Sequence, residues 1–153
     1  MKNKILISIA VLMCLILSYQ LCITSIDTRY AKQLSKVLQT YDIGKIDDFF
    51  DQDTQFIYQG TCASYQEIRP NLVAACKEQK YFFSSGSSYG YGNNHFVRGI
   101  QKVHVSLHGT WNQIPFGDCK IEMKIQKKGI LSFRISSLEC DDPVFGYIFK
   151  GYL

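Results

Sequence analysis

The fold is decided by residues 30–76, which read YAKQLSKVLQTYDIGKIDDFFDQDTQFIYQGTCASYQEIRPNLVAAC. In the first part of this stretch, apolar residues recur every three or four positions, the spacing of a helix that buries one face. This spacing predicts a first helix over 30–41. Asp42 fits the N-cap of a second, shorter helix. The apolar face of that second helix consists of Ile43, Ile46, Phe49 and Phe50.

The second half of the stretch predicts a strand followed by a third helix. Alternating residues over 55–59 are typical of a strand, and Gly60 ends it. Ser64 and Glu67 have the spacing of a capping box, in which each side chain binds the other residue's backbone N–H. A helix therefore begins at Ser64. We expect it to kink or restart just before Pro70, which cannot donate a backbone hydrogen bond.

Residues 1–25 differ in character from the rest of the chain. Lys2 and Lys4 form a positive start, and residues 5–23 then run for about 19 positions without charge, just long enough to span a bilayer. The run is long for a secretory signal, and no cleavage site is convincing. We expect a membrane anchor, with a cleaved signal peptide as the alternative and a buried cytosolic helix as the remaining one. With either a membrane anchor or a signal peptide, a single domain over 28–153 is exported.

Export determines how the cysteines are interpreted. Of the six cysteines, four lie outside the leader: Cys62, Cys76, Cys119 and Cys140. An even number in an oxidising compartment predicts two disulfides, in one of the three connectivities that four cysteines allow. An unbroken third helix would hold Cys62 and Cys76 about 18 Å apart, too far for a disulfide. Cys119 and Cys140 lie near the open ends of a predicted hairpin and form the favoured pair, with free buried thiols as the alternative.

Residues 84–94 read SSGSSYGYGNN and predict a mobile loop or an irregular sheet edge. Tyr89 and Tyr91 stand between glycines there. Loops carry functional residues more often than cores do, so these two tyrosines are candidates for gripping a ligand, although a plain connector is the alternative.

Long alternating segments complete the chain. We expect strands to start or lie at 81–83, 95–111, 119–126, 131–140 and 144–152. One apolar face and one wetted face indicate an antiparallel sheet that packs on the helices. His104 and His108 share the wetted face, but about 13 Å separates them along a strand. We therefore predict surface histidines, with no metal site and no cofactor.

The charge balance argues against nucleic acid as a partner. The chain has 17 basic and 13 acidic side chains, and two of the basic ones lie in the leader. Both signs are interspersed, so the electrostatic footprint of a nucleic-acid-binding domain is missing from the sequence.

The order helix, helix, strand, helix and then antiparallel strands resembles the nuclear transport factor 2-like (NTF2-like, cystatin-like) superfamily. The residues that carry the resemblance are DIGKIDDFFDQDTQFIYQG at 42–60 and SYQEIRPNL at 64–72. It implies an α+β cone, in which helices pack on a curved antiparallel sheet in the order α-α-β-α-β-β-β-β, here preceded by one hydrophobic helix. Members of the superfamily include isomerases, dehydratases and hydrolases, and also binding or assembly modules, some of them exported or membrane-anchored.

Catalysts in this superfamily place an Asp or His with a Tyr inside the cone. No such set can be carried over here, because capping or solvation explains the acids at 47–53. The candidates for lining a pocket are Tyr58, Tyr65, Tyr89, Tyr91, His95 and Trp111.

We therefore expect an exported, non-catalytic binding or assembly domain with an NTF2-like pocket, anchored in the cell membrane through residues 5–23. Its partner would be a protein or a small apolar ligand, and a homodimer is possible, although the charged outer sheet face disfavours an apolar dimer. The alternative is a small secreted enzyme that uses the cone pocket, with His95 or an Asp as base. A small secreted inhibitor or toxin-like factor is a third possibility.

Overall fold

The structure, a computed structural model, describes residues 2–24, 26–78, 81–89, 99–111 and 113–147. Its helices are α1 (Lys2–Thr24), α2 (Ile26–Gln39), α3 (Ile43–Phe49), α4 (Tyr65–Lys77) and the short α5 (Pro143–Gly146). Its strands are β1 (Gln55–Tyr58), β2 (Thr61–Ser64), β3 (Tyr81–Tyr89), β4 (Ile100–Trp111), β5 (Ile114–Lys127) and β6 (Phe133–Glu139). An apolar helix, two amphipathic helices and a helix between strands thus occupy the predicted places.

The strands form one curved sheet in the order β2-β1-β6-β5-β4-β3. The long strands β4, β5 and β6 pair antiparallel, as their alternating sequences predict. The prediction of a purely antiparallel sheet is wrong at one place, because β1 runs parallel to β6. Parallel neighbours need a long crossover between them, and the chain between β1 and β6 contains α4 and the four strands β2 to β5.

The helix caps form as predicted. Asp42 accepts a hydrogen bond from the Gly44 backbone N–H at 3.0 Å and caps α3. Ser64 and Glu67 make the full capping box, with the Ser64 N–H donating to the Glu67 carboxylate at 2.7 Å. The expected restart before Pro70 does not occur, since α4 continues through it without a break. A proline in the second helical turn removes only one i to i−4 hydrogen bond, which the packing of α4 outweighs.

The core lies between α2, α3 and α4 on one side and the sheet on the other. Leu34, Ile46 and Ile68 from the helices are at most 1% exposed, and they share one apolar cluster with the buried face of β4, β5 and β6. The strand side of this cluster consists of Val103, Val105, Leu107, Ile121, Met123, Ile125, Ile135 and Leu138. Apolar side chains therefore fill the interior of the cone that the structure describes.

The strand predicted at 55–59 proves to be the first arm of a hairpin. Gln59 and Gly60 both have positive φ, at 48° and 79°, the backbone of a tight hairpin turn. Gly60 ends this strand, as predicted, and it also reverses the chain, so that β2 pairs with β1 from Thr61 to Ser64.

Residues 84–94 are predicted to be a mobile loop or an irregular sheet edge; residues 84–89 form an irregular edge, and residues 90–94 lie outside the described part. β3 extends to Tyr89 and pairs with β4, with a register shift between Phe83 and Ser85. The backbone of β4 supplies hydrogen bonds that do not depend on side-chain propensity, so a Ser- and Gly-rich segment can form an edge strand.

The last strand, predicted at 144–152, is wrong where the structure describes it. Residues 143–146 form α5, and residues 148–153 lie outside the described part. Pro143 suits the first position of a helix, and the Asp142 carbonyl accepts hydrogen bonds from the N–H groups of Phe145 and Gly146. Phe145 then stacks on Phe56 at a centroid distance of 5.9 Å and closes the core.

Candidate functional site

Two clefts on the surface of the domain are lined by residues that the structure describes. The first, which we call the helix cleft, has a volume of about 490 Å³ and lies where α3 meets α4; its lining residues are Asp47, Phe50, Gln52, Tyr65, Gln66, Arg69 and Pro70. The second, which we call the sheet trough, measures about 640 Å³ and lies on the outer face of the sheet; its lining residues are Lys102, His104, Asp118, Lys120, Glu122, Lys124, Glu139, Cys140, Asp141 and Asp142.

The helix cleft is organised by one carboxylate. Asp47 accepts hydrogen bonds from the Tyr65 hydroxyl at 2.8 Å and from Arg69 Nε at 2.7 Å on the same oxygen. Arg69 Nη2 donates to the second Asp47 oxygen at 2.7 Å. A forked, two-point guanidinium–carboxylate contact of this kind is stronger and more directional than a single hydrogen bond.

These contacts fix the protonation states of the cleft. The hydrogen bonds from Arg69, with those from Tyr65, hold the pKa of Asp47 below its ordinary value. Burial, followed by the hydrogen bond to Asp47, raises the pKa of Tyr65 far above its ordinary value. At neutral pH, Tyr65 is therefore a neutral phenol, Asp47 an ionised carboxylate and Arg69 a charged guanidinium. A general base or acid, in contrast, needs a pKa near the working pH.

The sheet trough is a network of ion pairs of mixed sign. Glu122 lies at its centre, 3.0 Å from Lys102 Nζ and 3.7 Å from Lys124 Nζ. His104 Nε2 lies 3.6 Å from the second oxygen of Glu122. Lys124 reaches across to Glu139 on β6 at 3.9 Å. The trough therefore offers alternating charges to whatever covers it.

At the edge of this surface, Asp118 joins a serine and a histidine. Ser106 Oγ donates to Asp118 Oδ1 at 3.0 Å, and His108 Nε2 lies 2.8 Å from the same oxygen. The serine hydroxyl is directed at the carboxylate and not at the imidazole, so the order of contacts differs from that of a serine nucleophile with its base. Among the residues that the structure describes, no three His, Cys, Asp or Glu side chains are grouped to hold a metal ion.

Cys119 and Cys140 lie side by side in the core as free thiols, each 2% exposed, with their sulfur atoms 3.6 Å apart. The Asp142 N–H donates to Cys140 Sγ at 3.4 Å. The hydrogen bond with Cys140 and burial raise the pKa of Cys119. The two cysteines of the predicted pair are therefore close together, and the disulfide between them stays a prediction.

The other predicted cysteine pair is not compatible with the fold. Cys62 is exposed on β2, with its sulfur 2.9 Å from Gln55 Oε1, whereas Cys76 is buried near the end of α4. A disulfide between them required a helix broken at Pro70, and α4 is unbroken.

Comparison with known proteins identifies the architecture. No protein-family model matches the chain, and no curated protein is significantly similar in sequence. A solved NTF2-like protein from Cytophaga hutchinsonii ATCC 33406 matches with a TM-score of 0.54 and 13% identity, over 74% of this chain and 92% of its own. The chain has the NTF2-like fold. A domain of unknown function with a cystatin-like fold from Nostoc punctiforme PCC 73102 gives a TM-score of 0.58 and 13% identity, over 74% of this chain and 73% of its own.

A second cystatin-like protein from Nostoc punctiforme PCC 73102 matches with a TM-score of 0.51 and 14% identity, over 75% of this chain and 87% of its own. At these identities the likeness concerns the NTF2-like fold alone, and it confirms the resemblance carried by residues 42–72 at that level.

The predicted pocket residues that the structure describes lie on four different elements of the NTF2-like fold. Tyr58 is buried in the core, and Tyr65 lines the helix cleft. Tyr89 ends β3 opposite His104, and Trp111 ends β4. Tyr91 and His95 lie outside the described residues. Of Tyr58 and Tyr65, the two candidates whose burial the structure describes, Tyr65 is the one that lines a cleft.

Sequence reasoning missed Asp47 and Arg69 as partners of Tyr65. Asp47 is one of the acids at 47–53 that solvation or capping explains, and Arg69 belongs to no motif in the local sequence. A usable signal existed in the spacing of Tyr65 and Arg69, because residues four apart share one face of a helix. The identity of their partner on α3 depends on how the helices pack, which the local sequence does not encode.

Proposed function

We propose that the chain is an exported, membrane-anchored domain of NTF2-like fold that binds a partner without catalysing a reaction. The observation that carries this proposal is α1. Its segment from Lys4 to Leu21 is long and apolar enough to cross a membrane, and the domain buries none of it. An apolar helix that its own protein leaves exposed is explained either by insertion in a lipid bilayer or by a role as a signal peptide.

The two serines of α1 fit an anchor in lipid. Ser8 donates its hydroxyl hydrogen bond to the Lys4 carbonyl at 3.0 Å, and Ser18 donates to the Cys14 carbonyl at 2.8 Å. Polar groups in a bilayer must be satisfied within the segment itself. With Lys2 and Lys4 retained on the cytoplasmic side, the domain that follows lies outside the cytoplasm.

The helix cleft supports binding over catalysis. Its carboxylate is neutralised by Arg69, and its phenol is held in the neutral form, so neither group is ready to accept a proton from a substrate.

The sheet trough is the surface that we assign to the partner. Its ion pairs alternate in sign around Glu122, which suits a protein or peptide face carrying charges of both signs. The same charges disfavour an apolar dimer through the sheet.

Photo-crosslinking in living cells tests this assignment. A photo-reactive residue at the exposed Lys120 position should give one discrete crosslinked product, and the additional substitution Lys124→Glu should abolish it. The same reactive residue at Ala74, exposed on α4 outside the trough, is the control. Equal products from both positions, or no effect of Lys124→Glu, would remove the trough from the proposal.

The exported location is tested with Cys62, a thiol that the fold itself exposes. In intact cells expressing the full chain, a membrane-impermeant maleimide should label the protein, and Cys62→Ser should abolish the labelling. Labelling that appears only after the cells are lysed would place the domain in the cytoplasm and refute the proposal.

A further inference from the structure

The tip of the β5–β6 hairpin presents apolar side chains to solvent. Ile130 is 76% exposed and its neighbour Leu131 is 64% exposed. Among the large apolar side chains that the structure describes outside α1, these two are the most exposed. Single exposed apolar residues are ordinary on a protein surface, but two adjacent ones at the end of a projecting hairpin form a compact apolar point.

This tip lies at the end of the domain that meets the membrane helix. Lys127, the last residue of β5, contacts the Tyr19 hydroxyl through its ammonium group, which also lies 5.2 Å from the centre of the Tyr19 ring. Tyr19 stands near the outer end of the apolar segment of α1. Tyrosine and lysine are typical of the bilayer interface, where an apolar body meets polar headgroups.

Two ion pairs and a backbone hydrogen bond lie at the base of the hairpin. Lys128 Nζ lies 3.5 Å from an Asp51 carboxylate oxygen, and Arg134 Nη1 lies 2.9 Å from Asp53 Oδ2. Across the turn, the Lys128 N–H donates to the Ser132 carbonyl at 2.8 Å. The direction in which Ile130 and Leu131 project is therefore set by contacts at both arms.

We propose that the hairpin tip docks on the outer leaflet beside α1, with Ile130 and Leu131 inserted among the acyl chains. Lys127 and Lys128 then lie at the level of the lipid phosphates. Lipid is the occupant that fits, because the tip is continuous with a helix that is itself suited to lipid and because basic residues flank the apolar pair. This inference rests on the membrane-anchored function proposed above.

Depth-dependent quenching tests the docking. The full chain carrying Leu131→Trp is reconstituted in vesicles of phosphatidylcholine and phosphatidylglycerol, with or without bromine on the acyl chains. The wild-type chain, whose single tryptophan is Trp111, gives the background fluorescence. Tyr147→Trp, an exposed aromatic position at the opposite end of the sheet, is the matched control. We expect the brominated lipid to quench most of the fluorescence added at position 131 and little of that added at position 147.

The outcomes separate the two proposals. If the chain does not stay with the vesicles, both the proposed membrane anchor and the proposed docking of the tip are overturned. A chain that stays with the vesicles but shows no quenching at position 131 overturns the docking alone. Quenching that disappears when the chain is diluted in lipid would mean that a second copy covers the tip, and this too overturns the docking.

Discussion

Asp47 is the residue through which α3 and α4 are joined at the surface, and Tyr65 is the point at which that junction reaches the core. The Tyr65 ring lies 5.3 Å from Phe50 and 6.1 Å from Phe56 between ring centroids, while its hydroxyl reaches Asp47. A single side chain thus contributes both to apolar packing and to a charged network. Its substitution therefore separates the two contributions.

Tyr65→Phe keeps the packing and removes the hydroxyl. At neutral pH we expect a loss of about 1 kcal/mol in the free energy of unfolding. Because folding raises the pKa of Tyr65, its contribution is intact below the ordinary tyrosine pKa of about 10 and is lost as the pH rises further. The difference in the free energy of unfolding between the wild type and Tyr65→Phe should therefore become smaller in alkaline solution. Urea unfolding of the full chain in detergent micelles at several pH values measures it, and a difference independent of pH would contradict the assigned hydrogen bond.

Gly146 makes a second prediction at the residue scale. A Cβ atom at this position would lie 2.7 Å from the buried Tyr58 ring. Gly146→Ala should lower the free energy of unfolding by about 1 to 3 kcal/mol, the usual cost of overpacking. Gly129→Ala is the control, since its Cβ would meet Ser132 at an ordinary 3.5 Å. Equal effects of the two substitutions on the thermal midpoint would show that α5 does not close on Tyr58.

At the scale of elements, the predictable parts are those with their own local signal. The helices α2, α3 and α4 have apolar spacing and caps at Asp42 and Ser64, and β5 alternates cleanly, so local sequence decides them. The elements without a decisive local signal depend on a neighbour. β3 is Ser- and Gly-rich and exists because β4 pairs with it, and α5 is a single turn started by Pro143.

The ends of β5 and β6 carry a prediction about the cysteines. We expect Cys119 and Cys140, 21 residues apart in sequence, to form a disulfide in the exported protein by thiol–disulfide exchange, which leaves the donor disulfide as two thiols. A loop of this length corresponds to a stabilisation of about 3 kcal/mol. Reductant should therefore lower the thermal midpoint of the wild type, leave that of Cys140→Ser unchanged, and affect Cys62→Ser as it does the wild type. A wild-type midpoint insensitive to reductant would contradict the pairing.

At the scale of the whole molecule, the sequence predicts a leader and a cone, but not how they meet. The contact between Lys127 and Tyr19 joins residues 108 positions apart, and the two clefts likewise arise from packing between distant segments. With the hairpin tip on the membrane, the far ends of β5 and β6, together with Cys140 and α5, point away from the bilayer. A partner that approaches from outside therefore reaches the sheet trough without crossing lipid.

The measurement that tests the central claim most directly is the intact mass of the protein recovered from the membrane fraction, taken with and without reductant. The account predicts a chain that retains residues 2–24 and gains two hydrogen atoms on reduction, as expected for an uncleaved anchor and one disulfide. A mass that lacks the leader would contradict the anchored domain, and a full-length mass that reductant does not change would contradict the disulfide.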